Sequence, residues 1–175
     1  MDINNIEKES WFAYRIFHNK MKYVKDQLLE DGLQFFSPTR LIQEKKNDEV
    51  TYREESIIPS LLFIRSTESY MKALKAKYAT HLSVYMNPCT KKAAIIPDCE
   101  MEVFQYVLSK GCERLEAIDE KLVQGNHVRI TGGLFEGAEG YITRVHGTKR
   151  FVVLIKGVAA VATTFVPRCF IEKIN

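Results

Sequence analysis

The chain has 175 residues, is 46% hydrophobic and 27% charged, and carries a net charge of +3. That length suits one ordinary domain or two small ones. No apolar run reaches the roughly 18 residues of a membrane span and the polar start MDINNIEKES is unlike a signal peptide, so a cytoplasmic protein without membrane contact is expected.

In chain order, Trp11–Phe17 (WFAYRIF) is rich in aromatic and β-branched residues and predicts a buried strand. Asn19 is placed to cap a helix whose apolar positions Met21, Val24 and Leu28 share one face, and Gly32 to end it. LQFFSPTRLIQ and TYREESIIPSLLFIR read as strands broken at Pro38 and Pro59, with the charged Glu44–Glu49 as a solvated hairpin tip. A second helix is expected to start near Ser66 or Thr67, with Tyr70, Met71, Leu74 and Tyr78 as its apolar stripe. Two short strands around Asn87–Pro88 follow. Asp98 then caps a third helix that buries Met101, Phe104, Val107 and Leu108 and ends at Gly111. The order β-α-β-β-α-β-β-α points to a mixed α/β or α+β fold, one sheet with helices packed on it.

From Gly111 the texture changes. GCERLEAIDEKLVQG is polar and predicts a linker, partly helical at most. Beyond it come five short β-rich runs: His127–Ile130, Gly140–Val145, Phe151–Ile155, Ala159–Phe165 and Phe170–Ile174. Five strands in about fifty residues suggest a small closed barrel. This part is also the basic one. Residues 121–175 hold 8 Lys and Arg against 3 Asp and Glu, whereas residues 1–120 hold 17 against 19. Such a surface suits an acidic partner such as RNA, and equally a merely solvated exterior.

Gly125–Ile142, GNHVRITGGLFEGAEGYI, has the glycine density of a phosphate loop. Yet Ala138 and Glu139 stand where such a loop needs Lys and Ser or Thr, and no helix follows to hold an anion. Turn chemistry explains the glycines better. His18, His81, His127 and His146 are scattered, and Cys89, Cys99, Cys112 and Cys169 have no C-x-x-C spacing. No metal, no cofactor and no catalytic constellation is therefore expected, and the thiols read as reduced.

Surfaces remain. Ile57–Arg65, IIPSLLFIR, is apolar on both alternating faces, so it is either covered on both sides or offers one face to a partner. Arg15–Lys25 interleaves basic residues with Phe17 and Tyr23, a pattern that fits either a solvated helix face or stacking on unpaired bases.

These pieces together resemble NusG-like transcription elongation factors, in which an N-terminal domain and a linker precede a KOW domain. Gly125, Val128, Arg129, Gly133, Phe135, Gly137 and Gly140 fit the KOW pattern, with Asn126 for its Asp and Leu134 for its Pro. Trp11–Phe12 and Ile58–Ile64 (IPSLLFI) are similar to two N-terminal motifs of the family, with Ser60 for Gly and Leu61 for Tyr. The resemblance implies an α+β protein: a NusG-type α/β sandwich at 1–110, a linker at 111–124 and a KOW β-barrel at 125–175. It implies a monomeric, non-enzymatic partner of RNA polymerase that acts in elongation and antitermination. Leu61, Phe63 and Phe36 fall on its clamp contact, and Lys72, Ala73 and Leu74 on its gate-loop contact. Phe17, His18, Lys20 and Tyr23 match the positions with which operon-specific relatives such as RfaH read non-template DNA; nascent RNA is the other nucleic-acid candidate. The KOW loop that meets a ribosomal protein or Rho in the general factor falls on Lys156, Gly157 and Val158, where Lys156 replaces Phe and Val158 replaces Arg. These departures are similar to UpxY-type antiterminators of capsular polysaccharide operons. An RNA- or ribosome-binding KOW protein acting in translation is the alternative.

Overall fold

The computed structural model describes residues 7–46, 49–110, 115–163 and 166–174. By compactness the chain divides into two units, residues 1–37 with 60–98, and residues 38–59 with 99–175.

The first unit is built on a sheet of antiparallel pairs. Its central strand β1 (Ser10–Ile16) pairs with β5 (Leu61–Ser66) on one side. On the other it pairs with β6 (Leu82–Val84) and β7 (Ile95–Ile96). β2 (Phe35–Phe36) continues the sheet beyond β5. Helices α1 (Met21–Glu30) and α2 (Glu68–Lys77) bury their apolar stripes against it. Val24 and Leu28 of α1 and Met71 and Leu74 of α2 join Phe12, Tyr14, Leu62 and Ile64 in one core. Thr67 caps α2 as its spacing predicts, its Oγ1 accepting from Tyr70 N–H at 3.2 Å. Gly32 follows α1 with φ +68°, the left-handed geometry of a helix stop. Asn19 is not the cap of α1: it has φ 55°, and Lys20 occupies that position without a side-chain bond.

The second unit holds a separate two-stranded ladder, β3 (Thr39–Lys46) with β4 (Glu49–Ser56). The expected single sheet is therefore two. Pro38 and Pro59, which have no N–H to donate, lie between β2 and β3 and between β4 and β5. The unit also holds α3 (Asp98–Lys110), which buries Met101, Phe104, Val107 and Leu108 as its period requires. Gly111 and Cys112 lie outside the described residues, as do the hairpin-tip residues 47 and 48.

Six strands complete the unit in the antiparallel order β13-β9-β10-β11-β12-β8. They are β8 (Glu116–Ile118), β9 (Asn126–Ile130), β10 (Glu139–Val145), β11 (Thr148–Ile155), β12 (Ala159–Ala162) and β13 (Ile171–Lys173). The five expected strands recur among the described residues, the fourth as Ala159–Ala162 with residues 164 and 165 outside them, but these strands form an open path with β13 and β8 at its ends, and no closed barrel is found. The sixth, β8, lies inside the segment read as linker, followed by a 3-10 turn at Glu120–Leu122.

Candidate functional site

Four surfaces carry the expected residues. The first surrounds the turn after β1. Phe17 N–H donates to the His81 carbonyl at 2.7 Å, joining the end of β1 to the turn that follows α2. His18 and Asn19 both have φ 55°, which swings the chain into α1, and Lys20 N–H closes the turn on Phe17 O at 3.1 Å. The Phe17 and His18 rings are 6.3 Å apart. Tyr23 lies edge-on to Tyr78 at 6.1 Å and to His81 at 6.2 Å, and is 46% exposed. Lys77 Nζ sits 4.9 Å from the Tyr78 ring centre. Phe17, His18, Lys20 and Tyr23 are thus brought together, and they gain His81 and Lys77 at the surface, with the buried Tyr78 behind them. Aromatic faces mixed with ammonium groups can stack on unpaired bases and neutralise phosphates.

The second surface is the β2–β5 region. β2 pairs Phe36 opposite Phe63, with ring centres 6.2 Å apart. Alternation along β5 sends Leu62 and Ile64 into the core under α1 and α2, and Leu61 and Phe63 to the other face. Leu61 and Phe63 are 1% and 0% exposed, whereas Phe36 is half-buried. Of the three expected clamp residues, Phe36 alone is reachable from solvent in this conformation.

The third lies on α2. Lys72 is exposed and pairs with Glu68 one turn earlier at 2.7 Å; Ala73 is exposed; Leu74 points into the core. Beside them runs a cleft of about 280 Å³, with Met71, Val84 and Ile95 in its lining and Lys72, Lys75 and Lys92 along it.

The fourth is the glycine-rich segment. Residues 131–137 form the turn between β9 and β10, closed by Gly137 N–H on Ile130 O at 2.7 Å, and the next element is a strand. Gly133 and Gly137 have φ +82° and +85°. A side chain at Gly140 would meet Val152 O at 2.4 Å, and one at Gly125 would meet Ile142 O at 2.1 Å, so both glycines permit close strand packing. Val128 is buried in β9, and Phe135 packs 6.2 Å from Phe151. Arg129 faces Glu139 across the β9–β10 pair at 2.6 Å, so the glutamate that argues against phosphate neutralises an arginine. Lys156, Gly157 and Val158 form the turn between β11 and β12, with Lys156 exposed and Gly157 at φ +78°.

Among the described residues no group of three or more His, Cys, Asp or Glu is placed to hold a metal ion, and Cys89, Cys99 and Cys169 are exposed and unpaired. Among the described residues no helix is long and apolar enough to cross a membrane.

Comparison with known proteins adds to this geometry. The family model described as transcription termination factor nusG matches residues 9–105. A transcription termination/antitermination protein NusG of Lactococcus lactis subsp. lactis (strain IL1403) is 22% identical over 160 residues, covering 85% of this chain and 86% of that protein. The protein of the same name from Streptococcus pyogenes serotype M3 (strain ATCC BAA-595 / MGAS315) is 20% identical over 150 residues, covering 81% and 83%.

Proposed function

The chain belongs to the NusG family of transcription termination and antitermination factors, and from that membership we propose that it binds RNA polymerase and suppresses pausing or termination within particular long operons. The observation that carries the reading is the coincidence of the family match, residues 9–105, with the sheet and helices that present Phe36, Lys72 and the Phe17–Tyr23 cluster. The polymerase-binding domain is residues 1–110, followed by the linker 111–124 and a KOW domain at 125–175. The specialised, UpxY-like assignment rests on two departures from the general factor. Lys156 and Val158 replace its contact residues, and Ser60 and Leu61 replace Gly and Tyr in the N-terminal motif. Capsular polysaccharide operons are the target class this assignment names. Such a protein acts in the cytoplasm, where the polymerase is.

Leu61 and Phe63 lie in the interior, so a clamp contact through them requires that face of β5 to be uncovered first. Phe36, at its accessible margin, is the better probe. Phe63→Ala would cost about 3–5 kcal/mol of stability by emptying a buried site, and any loss of binding would then report the fold. Phe36→Arg places a charge at a half-buried position while leaving Phe63 in place. The expected outcome in a pull-down from lysate is at least tenfold less polymerase with an unchanged melting profile. Unchanged polymerase recovery would refute the clamp assignment. Recovery of ribosomes in place of polymerase would favour a translational role.

A further inference from the structure

The C-terminal sheet ends on a strand taken from the acidic linker. β8 pairs antiparallel with β12, matching Ala160 with Ile118, Val161 with Ala117 and Ala162 with Glu116. Three further contacts fix the segment. Both oxygens of Glu116 are engaged: His146 Nε2 lies 2.7 Å from Oε1, and Arg150 Nη1 donates to Oε2 at 2.7 Å. Ile118 packs against the cluster of Val145, Val152, Ala160 and Ala162. Four residues after Glu116, the Glu120 carboxylate accepts from Gly157 N–H in the β11–β12 turn.

The sheet therefore holds this segment at three levels: the β12 strand edge, the His146–Arg150 clamp on one carboxylate, and a turn amide on a second carboxylate four residues on, where the strand has passed into the 3-10 turn. An added strand gains general affinity from main-chain pairing and selectivity from its alternate side chains. The present occupant is short. Its strand is three residues long and Ala117 faces solvent, and its anchors are the half-buried Glu116–Arg150 pair and the buried Leu115 just before it.

We propose that the β12 edge, with the His146–Arg150 clamp and the Gly157 amide, is a strand-addition site for an acidic protein segment of the pattern Glu-x-apolar-x-Glu, and that Glu116–Glu120 is its resident, displaceable occupant. Tethering gives the linker an effective concentration on the order of millimolar, so a partner strand enters when it pairs better or when the linker is drawn away. The site is independent of polymerase binding and stands or falls separately from it.

The test uses the full chain and a fluorescein-labelled synthetic peptide of residues 115–124, LEAIDEKLVQ, read by polarisation. In the variant Glu116→Ala/Ala117→Pro/Glu120→Ala the resident strand is weakened. That variant is expected to bind the peptide at least tenfold more tightly than the unaltered chain, and to lose about tenfold when Arg150→Ala is added. A scrambled peptide of the same composition is expected not to bind. Hydrogen exchange on the unaltered chain supplies a second measure. Amides of β8 and of the β12 edge are expected to open at least tenfold more often than those of β9–β11. A folded variant with no gain in affinity, equal binding of the scrambled peptide, or equal protection of β8 and β10 would each overturn the proposal. So would collapse of the C-terminal sheet in the variant, since β8 would then be a structural strand.

Discussion

Phe36 and Phe63 stand opposite one another on neighbouring strands, yet only one of them is accessible. Sequence cannot make that distinction. An apolar run such as IIPSLLFIR satisfies a sheet covered on both faces and a sheet that offers one face, because burial is decided by what packs on each side. The basic–aromatic cluster is legible in part for a related reason. Phe17, His18, Lys20 and Tyr23 are close along the chain, but His81 arrives only because β1 pairs with β6, Ile16 opposite Leu82. Single substitutions separate its two kinds of contact with a single-stranded oligonucleotide. Lys20→Ala should weaken binding and lower the salt dependence by about 0.7 in the log–log slope, as one phosphate contact is lost. Tyr23→Ala should cost about 1–3 kcal/mol of binding with the slope unchanged, as stacking is lost. Titrations at several salt concentrations read both quantities. Gly140→Ala tests the close approach of β10 and β11. The added methyl falls 2.4 Å from Val152 O and within 3 Å of the Phe151 ring, a backbone clash worth about 1–3 kcal/mol in a urea melt.

Elements with a strong period were legible. α1, α2 and α3 show apolar stripes at helical spacing, and Thr67 and Gly32 mark boundaries by mechanisms that need no tertiary context. β8 was not. Glu-Ala-Ile carries no alternation that distinguishes a strand, and its conformation is imposed by pairing with the β12 edge. The edge leaves an electrostatic signature. The hydrogen bond with His146, backed by Arg150, holds the Glu116 carboxyl below the usual carboxylate range. A group whose folded value is lowered stabilises the fold above its unfolded value and ceases to do so as pH falls through the folded one. Urea unfolding of the unaltered chain and of Glu116→Gln should therefore differ by a constant amount near neutrality. The difference should shrink below about pH 4.3, the ordinary range of a glutamate, and vanish in stronger acid. A difference independent of pH would remove the carboxylate from the account.

At the scale of the molecule, the strand runs expected after residue 125 recur among the described residues, whereas the compact units put β3, β4 and α3 with them, a grouping that composition and element order do not announce. Sheet membership was not legible, because alternation identifies a strand without naming its neighbour. The β3–β4 ladder shows the consequence. Its eight residue pairs match only each other, Ile57 N–H closes its base on Pro38 O at 2.8 Å, and Leu41, Val50 and Tyr52 stand in solvent. Nothing in the pairing of β2, β5, β1 and β6 depends on how far this ladder extends. Replacing residues 42–53 by Asn-Gly, a two-residue turn closing the Leu41–Glu54 pair, should leave amide protection in β1, β5 and β6 unchanged; a loss of that protection would show the arm to be structural. The hairpin is therefore modular: its length could change without breaking any pair of the sheet formed by β2, β5, β1 and β6.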